Sequence, residues 1–312
     1  MKRGNRLSRR REGGVAMITA MLIVALVTMV AANMAWDNAL DVRRTTVLLA
    51  RDQAMQVAIG AESWVANILS QDLEDSDTDH LGEIWAQQLP PLPIDDGEVF
   101  GAIEDLQGRF NLNNLVDDQG QVVQESLAQF QRLLAALGLE PRLAGIAADW
   151  IDSDVEAAFP DGAEDAIYTG RLPPYRTANQ PLTSVSELAA IEGMDPATYR
   201  TLEPHVTALP GRVGVNVNTA TAAVLQSLDE NLSVTDVEGL LAERETAGFA
   251  DLDGSFASLV TPDVLNDLEE SSQFFRLKVV VRIGTVRVTL WSILQRGARG
   301  DVTPILRSFG TP

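Results

Sequence analysis

The chain has 312 residues, 46% of them hydrophobic, with no cysteine and with 44 acidic against 24 basic residues, a formal net charge of −20. The absence of thiols excludes disulfides, thiolate metal centres and cysteine catalysis, and the two isolated histidines, His80 and His205, argue against a histidine-rich zinc site. So acidic a body repels nucleic acid, whose binding is driven by phosphate neutralisation, and favours cations instead.

The first element in chain order is a basic leader, residues 1–14, carrying Lys2, Arg3, Arg6, Arg9, Arg10 and Arg11 before Glu12-Gly13-Gly14. An apolar run then extends from Val15 to Trp36 and meets no charge until Asp37. As a helix it reaches about 33 Å, enough to cross a hydrocarbon layer of ~30 Å. The cationic flank holds the N-terminus on the cytoplasmic side, so the body lies across the membrane. The run exceeds the roughly 7–15 apolar residues of a cleaved secretory signal and continues into an amphipathic segment, which makes it an anchor, residues 15–36. Beyond residue 14 the chain holds 18 basic and 43 acidic residues, a formal charge of −25.

From residue 37 to 70, apolar positions such as Leu40, Val47, Ala54, Ala58, Val65 and Leu69 recur at helical spacing and predict a stem that must pack on something. The acidic run 72–79 and the Pro90-Pro91-Leu92-Pro93 cluster are expected to end it. A strand follows over Val99–Asp105. At the far end, 274–283 and 286–294 flank Gly284-Thr285 as a β-hairpin, with a further strand near 302–309. These strands predict one antiparallel sheet, built from 71–109 and 273–312.

Residues 110–272 between them have helical periodicity and almost no strand pattern, which predicts an all-α domain inserted into a small α+β domain. Its two halves echo one another: Phe110-Asn111-Leu112-Asn113-Asn114 resembles Val215-Asn216-Val217-Asn218-Thr219, and Ser184-Val185-Ser186-Glu187-Leu188 resembles Asp251-Leu252-Asp253-Gly254-Ser255. Only the first half carries an extra stretch, from Asp152 to Pro181. That stretch and its approach put seven carboxylates into the 17 residues 149–165, on a segment broken by Pro160 and Gly162. Calcium takes about six to eight oxygen ligands, mostly carboxylates and carbonyls. Asp152, Asp154, Glu164 and Asp165 are the expected ligands, with Asp149 and Asp161 as second choices. Trp150, Phe159, Ile167 and Tyr168 among the acids indicate a packed loop, although a solvated acidic loop has the same composition. The spacing is not that of an EF-hand.

No nucleophile elbow, phosphate loop or marked acid–base pair is present, so an enzyme is not expected. Val215 to Leu225 resembles the start of a helix-hairpin-helix domain, which makes a membrane-anchored DNA-binding protein the alternative. Against it, Asp229 and Glu230 occupy the hairpin where backbone amides would meet phosphate. Asn216 and Asn218 are expected to cap the following helix instead.

Taken together, the leader with Gly14 before Val15-Ala16-Met17-Ile18, Asp105-Leu106-Gln107-Gly108-Arg109-Phe110-Asn111-Leu112-Asn113, Asp149-Trp150-Ile151-Asp152, Pro174-Tyr175-Arg176-Thr177-Ala178-Asn179 and Val215-Asn216-Val217-Asn218-Thr219-Ala220 resemble the type II secretion system minor pseudopilin K family along the whole chain. The resemblance implies a pseudopilin α+β fold with a large helical insertion that binds calcium, and cleavage by prepilin peptidase between Gly14 and Val15. It implies an inner-membrane protein with a periplasmic body. Its partners would be the minor pseudopilins I and J and the other fibre subunits, with which it caps and initiates the pseudopilus that exports folded proteins. Pilins usually have glutamate at the fifth mature position; here it is Thr19, an absence that this family shares and that suits a subunit which starts a fibre.

Overall fold

A computed structural model of the chain describes residues 9–88, 90–245 and 248–311. Lys2, Arg3 and Arg6 of the leader lie outside the described residues. Helix α1 (Arg9–Asp75) runs unbroken for 67 residues, so leader end, anchor and stem are one rod of about 100 Å at ~1.5 Å per residue. No proline interrupts it. From residue 14 to residue 53 nothing is buried. Beyond that point Ala54, Ala58, Val65 and Leu69 form a buried stripe.

The stem was expected to stop near residue 70, at the acidic run, but the helix continues to Asp75. Arg296 explains the difference: its guanidinium donates to the Leu69 carbonyl and to Asp72 Oδ2, each at 3.2 Å. A cation at a helix C-terminus meets both the dipole and the acidic side chain.

The chain next forms β1 (Leu92–Ile94) and β2 (Gly97–Asp105), antiparallel to one another. The proline cluster expected only as a break thus supplies a strand. It is an edge strand, where a missing N–H costs no ladder bond.

The insertion follows. Its first unit opens with β3 (Phe110–Asn111), contains α2 (Gln124–Ala136), α3 (Leu143–Ile151), α4 (Asp165–Tyr168) and α5 (Pro196–Leu202), and closes with β4 (Val206–Thr207), parallel to β3. The second opens with β5 (Val215–Asn216), contains α6 (Ala222–Ser227), α7 (Val234–Arg244), α8 (Leu252–Phe256) and α9 (Pro262–Asn266), and closes with β6 (Leu268–Glu269), parallel to β5. These two-residue strands are too short to show alternation in sequence. One hydrophobic core, including the stacked Phe110 and Phe130 rings 5.1 Å apart, runs through both units.

The paired asparagines do not cap helices as expected; Thr221 caps α6. Asn216 and Asn218 are fully buried and must satisfy their amides internally. Asn218 clasps Phe249, accepting from its N–H at 2.6 Å and donating to its carbonyl at 3.0 Å. In the first unit Asn113 clasps Leu182 in the same way, at 2.8 and 2.9 Å.

The chain returns to the sheet through β7 (Phe274–Ile283), β8 (Val286–Arg296) and β9 (Val302–Phe309), giving the antiparallel order β1-β2-β7-β8-β9. Gly284, at φ 55°, makes the two-residue turn between β7 and β8. Phe275, Leu277, Val279, Val281 and Ile283 alternate along β7 and pack with the stem's buried stripe. Glu62, buried in that stripe, is held by Arg307 of β9 in a two-pronged pair with contacts of 2.6–3.0 Å.

Candidate metal centre

Helix α3, from Leu143 to Ile151, is buried at every position but the half-buried Gly145. Asp149 on its last turn is therefore carried into the interior, and Asp152 ends the helix in an extended conformation. The loop that follows is folded over these two residues. Asp149 Oδ2 accepts from the Ala158 N–H at 3.0 Å, and Gly162 lies so close that a Cβ there would sit 2.2 Å from the same oxygen. Glu164 caps α4, whose Tyr168 packs edge-on against Trp150 with centroids 5.1 Å apart. Trp150 and Tyr168 thus form the wall that shapes the loop, whereas Phe159 and Ile167, expected to pack with them, are exposed.

One oxygen each from Asp152, Asp154 and Glu164 lies within 4.8 Å of the other two. Asp152 and Glu164 are buried and Asp154 is exposed. Asp149 Oδ1, Asp152 Oδ1, Glu164 Oε1 and Asn179 Oδ1 are shut off from solvent and accept no hydrogen bond. A bare buried acceptor costs about 1–3 kcal/mol, more when charged, so these oxygens demand a donor or a cation. Burial pushes the Asp152 carboxyl up to about 7, with Asp154, Asp149 and Glu164 adding repulsion. Burial also raises Asp149 and Glu164. All the donors just named are oxygens, a hard-cation set in the calcium class.

Of the remaining expected ligands, Asp165 is already engaged: its Oδ1 accepts from the Thr177 N–H and hydroxyl, both at 3.1 Å, and its Oδ2 faces Arg176 at 3.5 Å. Asp161 is exposed. Asn179 was not expected as a ligand. It has φ 46°, takes the Trp150 carbonyl with its N–H at 3.1 Å and donates from its side chain to the Asp154 carbonyl at 2.5 Å. Thr177 was also missed; its hydroxyl bonds Glu164 at 2.8 Å and aims that carboxylate. The segment Pro174 to Asn179 stood out in sequence without showing that it folds back onto Asp154.

At the other end of the molecule, Gly14 and Val15 lie within α1, and Gly14 is exposed. The Thr19 hydroxyl bonds the Val15 and Ala16 carbonyls of its own helix, each at 3.0 Å. A threonine here offers a neighbour no charge, and its hydroxyl is already taken up by its own helix. The Gly14–Asp75 stretch of α1 contains a window of mean hydropathy 2.6, long and apolar enough to cross a membrane.

Residues 108–211 match the family described as Type II secretion system (T2SS), protein K, and residues 215–268 match a second part of the same description. The boundary between them falls between β4 and β5. The chain is 36% identical to the type II secretion system protein K of Pseudomonas aeruginosa, over 97% of this chain and 94% of that protein. It is 34% identical to the protein K of Aeromonas hydrophila, over 96% and 98%. Among solved structures, it is similar to a chain of the GspK-GspI-GspJ complex from the enterotoxigenic Escherichia coli type 2 secretion system. The TM-score is 0.76 and the identity 26%, over 86% of this chain and all of that one. The DNA-binding alternative finds no support: the α6–α7 turn carries Asp229, whose carboxylate takes the Asn231 and Thr261 N–H groups at 2.9 and 2.8 Å, where a phosphate would meet a negative charge.

Proposed function

From the premise that this chain belongs to the type II secretion system protein K family and is a minor pseudopilin, we propose that it caps and initiates the pseudopilus in complex with minor pseudopilins I and J. One observation supports this above the rest. The insertion leaves the sheet at the end of β2 and rejoins it at the start of β7, where Arg296 also meets the C-terminal turn of α1. A domain running from residue 106 to residue 273 therefore stands at the end of the stem away from the anchor. A subunit stacked above it would have to occupy the same space.

The other parts of the proposal follow from the chemistry. Prepilin peptidase cuts between Gly14 and Val15 on the cytoplasmic face, where the basic leader holds the N-terminus, and the body lies in the periplasm. Asp152, Asp154 and Glu164 bind calcium, Asp149 and Asn179 complete the oxygen cage, and Asp165 positions the loop through Thr177. The chain acts as a structural subunit rather than an enzyme.

Two measurements test this. Mixed with its I and J partners, the mature chain in detergent is expected to form a discrete complex and, alone, no filaments; self-polymerisation would overturn the capping role. Calorimetry with calcium is expected to show a binding event that Asp152→Ala removes. An unchanged titration would refute the site.

A further inference from the structure

Stem, sheet and insertion meet at a second cluster of carboxylates, remote in sequence from the first. Asp72 lies on the last turn of α1, and Asp79 and Glu83 on the segment that leaves it. One oxygen from each lies within 4.8 Å of the other two. Asp79 is 1% exposed. Its Oδ2 accepts from the Ser272 N–H at 2.7 Å and from the Arg296 guanidinium, whereas its Oδ1, equally shut off from solvent, accepts nothing.

Glu83 is divided in the same way. Its Oε2 takes the His80 N–H at 3.0 Å and the Trp85 indole N–H at 2.7 Å, leaving Oε1 with only the His80 ring at 3.8 Å. Arg296 is the one cation bonded into the cluster among the described residues, and it also bonds Asp72 Oδ2 at 3.2 Å. One guanidinium against three carboxylates leaves the cluster short of positive charge, beside the buried Trp85 and Phe275 rings.

We propose that Asp72, Asp79 and Glu83 hold a hard divalent cation, of the calcium and magnesium class, at the seam between stem and insertion. The ion takes the oxygens that Arg296 and the N–H donors leave free, and water completes its shell on the half-buried side of Asp72 and Glu83. Its effect is mechanical. The Asp79 N–H donates to the Glu270 carbonyl at 3.0 Å, and the Asp79 carbonyl accepts from Asn216 at 3.0 Å. An ion joining Asp79 to the last turn of α1 therefore ties the insertion to the rod beneath it. The proposal draws on none of the residues around Asp152, so either site can fail without the other.

Terbium(III), a calcium-sized probe that luminesces when an adjacent indole is excited, tests it. The full chain in detergent would carry Asp152→Asn and Asp154→Asn to silence the first site. Expected is saturable terbium emission that calcium competes away. Glu83→Gln should weaken it by at least the roughly 10–100-fold that losing a supporting carboxylate costs. Trp85→Phe should extinguish the emission while calcium still raises the melting temperature, a pair of readouts that remains usable if Glu83→Gln does not fold. Absence of terbium emission in the silenced background, or emission indifferent to both Glu83→Gln and Trp85→Phe, would overturn the proposal.

Discussion

Asp105 shows how far a single residue can be committed to the fold. Its Oδ2 accepts from the Thr219 and Ser272 hydroxyls at 2.5 and 2.7 Å and from Asn216 at 3.0 Å, while its Oδ1 takes the Gln107 N–H at 2.8 Å. Burial nevertheless pushes its carboxyl up to about 6, because neutral donors compensate only part of the lost hydration and Asp79 adds repulsion. A raised folded-state pKa contributes stability that is complete below the ordinary value near 3.8 and lost as pH rises through about 6. Thermal melts of the parent and Asp105→Asn between pH 4 and 7 should therefore diverge in slope, the parent losing more stability with rising pH. Parallel curves would contradict this assignment. Gly162 makes a sharper steric case. A methyl there would meet Asp149 Oδ2 and the Ala158 nitrogen at 2.2 and 2.3 Å, so Gly162→Ala should destabilise the loop by about 1–3 kcal/mol and weaken calcium binding in calorimetry.

Among the elements, the stem is held by partners distant in sequence. Glu62 is 3% exposed and Arg307 is about half exposed, so the two ends of their pair are not equivalent. Arg307→Ala strands a buried carboxylate and should cost about 3 kcal/mol or more, whereas Glu62→Gln leaves an arginine that water can solvate and should cost less. Denaturant titration of the two variants in detergent checks the order. Helical and strand periods in the sequence reveal the stem, the β2 strand and the β7–β8 hairpin, because half-buried elements repeat their apolar residues every three or four positions or every second one. They do not reveal where α1 ends. Its last turns are stabilised by Arg296, 224 residues from Asp72, and the acidic run reads as a stop until that cation is in place.

At the scale of the whole molecule, the insertion's bulk and the absent charge at Thr19 suit a subunit confined to one end of a fibre. Asp105 and Phe275 face one another across β2 and β7, so a short turn can replace residues 106–273 and keep the strand register, with Asp105→Asn removing the carboxylate that loses Gln107, Asn216, Thr219 and Ser272. A chain so shortened and carrying Thr19→Glu is expected to enter pseudopili along their length, as seen by immunogold labelling with an epitope on the body. Labelling restricted to fibre ends would show that something other than bulk confines the parent.

The anchor, the cationic leader and the acidic body follow from the sequence by itself, because charge and hydropathy are properties of local composition. So do the sheet strands and the presence of an acid-rich loop, since their patterns are written in consecutive residues. Only the tertiary structure decided which carboxylates share a site. Asp154 and Asn179, and likewise Asp72 and Glu83, meet because chain reversals bring them together, and no local spacing encodes that meeting. It also turned Asn216 and Asn218 from helix caps into buried clasps, since a side chain's hydrogen-bond partners are set by what packs against it.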